Sequence, residues 1–163
     1  MVKWENENNL LSNYKSGLSQ EIKELLENYR VRVSDSAKSL LQDGSIWTDD
    51  FKSSRTYIHK SQEIKDIIKN ERPVSFGFWK YLNKEKVTWD HTVPTSVLVD
   101  RIIELDNAGN LSFESFSDLV EKYGFVTIIT IEENDKLNEN GLRQKMPDGW
   151  SFDSEADAYA RYK

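Results

Sequence analysis

The segment that most narrows the possible folds is Phe125-Val126-Thr127-Ile128-Ile129-Thr130-Ile131, followed at once by Glu132 and Glu133. Its β-branched and aromatic side chains make it the clearest strand in the chain. Thr130 and Glu133 stand three residues apart, the spacing of a capping box. The hydroxyl and the carboxylate answer each other's orphan backbone donors there. The strand therefore passes into a helix without a loop. That helix runs to about Asn140, where Gly141 terminates it.

The remaining elements follow from periodicity and punctuation. Leu18, Ile22, Leu25 and Leu26 predict an amphipathic helix over 18–30. Ala37, Leu40 and Leu41 predict another over 35–42, and Ile64, Ile67 and Ile68 a third over 60–70, stopped by Pro73. Residues 75–83 read either way, and 86–91 reads as a short strand. Pro94 suits a helix start, continued by Val97, Leu98, Ile102 and Leu105. A turn at 106–110 leads to a helix capped by Ser112 and ended by Gly124. Trp150 is expected to pack back on the core, and 159–163 to form a short helix. The fold class expected is α+β. A mainly helical N-terminal region (1–85) precedes a ββα-like region (86–163) carrying helical insertions, in one compact domain overall.

Composition excludes several chemistries. With no Cys there is no disulfide framework, thiolate zinc site or cysteine nucleophile, and two His cannot make a tri-histidine metal site. No apolar run of about 18 residues occurs, so no membrane span is expected. The first residues lack the apolar stretch of a signal peptide, which makes a cytoplasmic location the expectation. The formal net charge is -6, which argues against non-specific binding of a polyanion. The acid excess lies in the C-terminal half and would suit a protein partner.

Trp89-Asp90-His91-Thr92-Val93-Pro94 carries the chemistry-bearing pattern. An Asp-His pair at a strand end, followed by an apolar residue and Pro, resembles the first half of the HNH motif of the His-Me finger (ββα-metal) endonucleases. It is similar to the Asp-His-x-Val-Pro run of the HNH domain in RNA-guided CRISPR nucleases and to the Trp-Glu-His-Val-Val-Pro run of endonuclease I-type enzymes. The second half resembles Ile128-Ile129-Thr130-Ile131-Glu132-Glu133-Asn134, where a strand runs into a helix. The resemblance covers about a third of the chain. It implies His91 as general base, Asp90 and Asn134 as metal ligands, and Mg²⁺ or Mn²⁺ as cofactor. Asn110 is the best match for the motif's middle residue, which orients the His. Hard oxygen donors suit Mg²⁺, which keeps several waters of its own. A near-neutral His suits proton abstraction from water. The simpler alternative makes His91 a polar residue bonded at a strand end, Asp90 turn chemistry and Asn134 a surface residue.

Residues 51–89 interleave cations with aromatics. Lys52, Arg55, Lys80, Lys84 and Lys86, with Arg143 and Lys145 further on, are the candidate phosphate contacts. The aromatics fit base stacking or an ordinary core. His59 fits a surface or capping role. The functional expectation is a metal-dependent HNH-like endonuclease acting on nucleic acid, DNA ahead of RNA, in a setting such as phage defence. The alternative is a non-enzymatic acidic binding protein of the immunity, antitoxin-like or anti-defence kind, or an HNH-fold protein that has lost catalysis.

Overall fold

The computed structural model describes residues 28–53, 57–152 and 155–163. A four-stranded mixed sheet organises them, in the order β2-β1-β4-β3. The strands are β1 (Asn28–Val33), β2 (Pro73–Ser75), β3 (Val87–His91) and β4 (Phe125–Thr130). β1 runs parallel to β4, while β2 and β3 flank them antiparallel. The helices are α1 (Asp35–Gln42), α2 (Asp49–Lys52), α3 (Tyr57–Lys69), α4 (Thr95–Asn107), α5 (Phe113–Tyr123) and α6 (Ile131–Glu139). Short 3₁₀ helices occupy Phe76–Tyr81 and Ala160–Tyr162. None of the described helices is long and apolar enough to cross a membrane.

The α+β class holds, and so do most element positions. The predicted capping box forms: the Glu133 N–H donates to Thr130 Oγ1 at 3.2 Å, and the Thr130 N–H donates to Glu133 Oε2 at 2.8 Å. Gly141 terminates α6 at a φ of 68°, a left-handed conformation that favours glycine. One expectation fails. Residues 28–30 belong to β1 rather than to a helix, and the rest of the predicted 18–30 helix lies outside the described residues. β1 is the inner partner of β4, with Val31 and Val33 opposite Val126 and Ile128. The sheet therefore takes strands from both sides of residue 85.

Alternation along the strands gives the sheet two distinct faces. Val31, Val126, Ile128 and Val87 join a core with Ala37, Trp47, Phe51, Ile64 and Trp79. That core accounts for most of the aromatics of 51–89. Phe51, Phe78 and Trp79 are buried, and Trp79 stacks on Trp89 with centroids 5.4 Å apart. A second core of Val93, Ile102, Phe116, Leu119, Tyr123 and Met146 binds the α4–α5 hairpin to the C-terminal segment, where Trp150 packs as expected. The opposite sheet face carries Arg30 and Arg32 over the ring of Phe125, with Tyr159 beyond.

Candidate functional site at the Asp-His corner

β3 and β4 are antiparallel neighbours, and α6 follows β4 without a loop. α4 and α5 form the insertion between the strands. Register places His91 opposite Val126 and Asp90 opposite Thr127, while Val87 pairs with Thr130 at the end where α6 begins.

Asp90 is held by the C-terminus. Its carboxylate accepts from the Tyr162 hydroxyl at 2.5 Å and forms an ion pair with Arg161. The Arg161 side chain is fully buried, while Asp90 retains 18% exposure. Nothing on this guanidinium is wasted. Its Nε donates to the Thr92 carbonyl at 3.2 Å, and its Nη1 to the carbonyls of Leu142 and Arg143 at 2.6 and 3.2 Å. Its Nη2 also donates to the His91 carbonyl. One side chain thus ties the end of β3, the segment after α6 and the last residues of the chain into one knot. Beside it, the Thr92 and Thr127 hydroxyls are bonded at 2.8 Å. Burial raises the Tyr162 phenol pKa well above its ordinary value, and the neighbouring Asp90 charge adds to that.

His91 faces the other way. As the next residue on a strand it projects from the opposite side, where its ring meets Trp89 edge-on at 5.1 Å. Burial lowers its pKa, Asp90 opposing and Arg161 reinforcing the shift, so the imidazole is neutral at pH 7. α6 lies on the Asp90 side with the C-terminal turn. Asn134 is half-buried on that helix, three residues before buried Leu137 and so on the same stripe. Asp90 thus points to the side of the C-terminal turn, and His91 to the side of Trp89.

Asn110 is nowhere near the corner. It follows α4, a 13-residue helix that starts beside Pro94, so it lies about 20 Å along the axis from the Asp-His end. Its carbonyl accepts from Ser115 Oγ at 3.1 Å within the α4–α5 turn. Asn110 belongs to a helix connection.

The candidate phosphate contacts fall into separate groups. Lys52, Lys80, Lys84 and Lys86 are exposed around the start of β3, where the Thr48 N–H bonds the Tyr81 carbonyl and Trp47 bridges Leu82. Lys80 lies over the Tyr81 ring. Arg143 and Lys145 are exposed near the other end of β3, about 15 Å away by strand rise. Arg55 lies outside the described residues. His59 falls within α3.

A divalent cation needs hard oxygens with unanswered charge. Among the described residues no group of three or more His, Asp or Glu side chains could hold one. At Asp90 the carboxylate charge is already matched by a buried guanidinium, which would repel an added cation. The donor set, as arranged, does not fit Mg²⁺ or Mn²⁺. Arg161 and Tyr162 are what the sequence reading missed. Their signal is faint, an Arg-Tyr pair in a short C-terminal helix, and their partner stands 71 positions earlier. No protein-family model, curated protein or solved structure matches the chain.

Proposed function

We propose that the chain is a binding protein on a ββα-like core whose Asp-His corner fastens the fold instead of hydrolysing phosphodiesters. The observation that carries this reading is the Asp90–Arg161–Tyr162 knot, which occupies the carboxylate a nuclease would keep open. The partner best matched is a basic protein segment bearing an apolar side chain. α4 and α5 expose Asp100, Glu104, Asp106, Glu114, Asp118 and Glu121, and Phe113 at the start of α5 is 53% exposed. Phe113 is the one large exposed hydrophobic among the described residues. Aromatic anchors rimmed by charge are typical of partner surfaces.

A second reading, metal-dependent cleavage of nucleic acid, draws support from the β3–β4–α6 order and from a neutral His91 able to accept a proton. Plasmid and single-strand cleavage with Mg²⁺, Mn²⁺ or EDTA separates the two. The binding reading expects no cleavage by folded wild type. Metal-dependent cleavage lost in His91→Ala would overturn it and establish the nuclease. An NMR titration with a Lys-rich peptide containing Phe or Leu tests the partner surface. Shifts are expected on α4 and α5, and shifts confined to other elements would refute it.

A further inference from the structure

β1 and β4 are parallel neighbours, and each feeds a helix directly at its carboxyl end, β1 into α1 at Ser34 and β4 into α6 at Thr130. The carboxyl ends of adjacent parallel strands are where open α/β sheets leave a ligand crevice. The crevice here is a cavity of about 930 Å³, the upper end of the range of small-molecule sites. Its cause lies in the strand lengths. β2 pairs with β1 only as far as Arg30, so the edge of β1 at 31–33 is left uncovered between α1 and α3.

The lining divides by chemistry. Lys65 and Lys69 stand one turn apart on α3 and face the cavity, and neither forms an ion pair among the described residues. Arg32, braced by Glu71 at 2.7 Å, adds a third cation. The acidic lining is largely committed already. Glu71 holds Arg32, Asp35 holds Lys38, and Glu133 caps α6 while accepting from Ser34 Oγ at 2.7 Å. Tyr159, whose ring carries the Arg32 guanidinium at 5.2 Å, and Tyr162 also line the cavity, with Leu41 and Ile68 giving apolar cover. The Tyr159 hydroxyl is buried and has no hydrogen-bond partner among the described residues, so what Tyr159 offers the cavity is its ring.

We propose that this cavity binds a nucleoside phosphate, its phosphates on Lys65, Lys69 and Arg32 and its base against the tyrosine wall. The two halves of the lining require both parts of such a ligand: cations alone would suit inorganic phosphate, and the aromatic wall alone an uncharged ring. The cavity shares Tyr162 with the Asp-His corner but uses neither Asp90, His91 nor the α4–α5 surface, so it stands or falls separately from the binding reading above.

Isothermal titration with ADP, adenosine and pyrophosphate, backed by thermal shift, tests it. ADP is expected to bind at least about tenfold more tightly than either fragment, since both ends contribute. Lys65→Glu/Lys69→Glu is expected to weaken ADP by about tenfold or more, while Lys122→Glu on α5 leaves it unchanged. Equal affinity for pyrophosphate and ADP would overturn the nucleotide assignment, as would no ADP binding up to millimolar concentration. An unchanged ADP affinity in the folded double-lysine variant would overturn the site itself.

Discussion

Replacing Arg161 by Met keeps the length and apolar bulk of the stem and deletes the guanidinium. Asp90 then keeps only the Tyr162 hydroxyl, and the carbonyls of His91, Thr92, Leu142 and Arg143 lose a donor. Breaking a buried ion pair from one side typically costs about 3–5 kcal/mol. Asp90 is 18% exposed, so water answers part of the freed charge, which places the expected loss near the lower end, about 3 kcal/mol. With a urea slope of about 1.5–2 kcal/mol per M, the unfolding midpoint falls by roughly 1.5–2 M. Asp90→Asn leaves the guanidinium buried without its counter-charge and should cost a similar amount. The double variant Asp90→Asn/Arg161→Met removes both charges. It should recover about 2 kcal/mol relative to the sum of the single losses, a coupling of the size found for contacting residues. A loss below about 1 kcal/mol in Arg161→Met, or additive single effects, would refute the structural role of the knot. A metal-ligand role for Asp90 predicts the reverse pattern: Asp90→Asn would leave the urea midpoint almost unmoved and abolish metal-dependent activity.

Four further expectations follow from the same geometry. Thr130→Ala removes the N-cap of α6 and should cost about 1 kcal/mol by urea unfolding, with no change in sheet content by circular dichroism. Gly124→Ala places a Cβ 2.6 Å from the Val120 carbonyl oxygen, so α5 must shift at its junction with β4. The expected cost is about 1–3 kcal/mol, read as a lower melting temperature. The depressed pKa of His91 means that the unfolded chain binds a proton the fold resists. Stability is then complete above about pH 6.5 and falls as pH drops below it. Comparing urea midpoints at pH 7.5 and 5.5 should show the decrease, smaller in His91→Gln. Tyr162 has the opposite sense: its raised pKa keeps the phenol protonated in the fold, so stability is lost above about pH 10, where the unfolded chain ionises. Tyr162→Phe should flatten that alkaline limb.

What the sequence reveals here is what is local. The capping box at Thr130–Glu133, the Ser112 cap and the Gly141 stop each depend on residues within a turn of one another, and all three form. The buried strand at 125–130 announces itself because no polar residue interrupts its apolar character beyond two threonines. β1 is hidden for the converse reason. Asn28-Tyr29-Arg30-Val31-Arg32-Val33 alternates arginine with valine, and a helical stripe of leucines leads into it. Pairing with β2 and β4 makes it a strand, and the β4 pairing spans nearly a hundred positions. The Asp90–Arg161 contact is hidden likewise: long-range ion pairs have no sequence period.

The alternation of strand side chains then decides how far a motif can be trusted. Asp-His is one word in the sequence but two faces in a sheet. At the end of β3, Asp90 goes to the side of α6, where Arg161 and Tyr162 meet it, and His91 goes to the side of Trp89 and the main core. For the pair to act on one phosphate, β3 would have to twist or end earlier. The Arg161 bonds to the carbonyls of His91 and Thr92 resist both changes, since they fix the backbone at the very residues that would move. The guanidinium therefore holds the corner twice, by neutralising Asp90 and by pinning the strand end. A cleaving site at this corner would require both constraints to be released together, which Arg161→Met does in one step. Cleavage that appears in that variant and is absent from wild type would identify the knot as a catalytic restraint instead of a purely structural fastening.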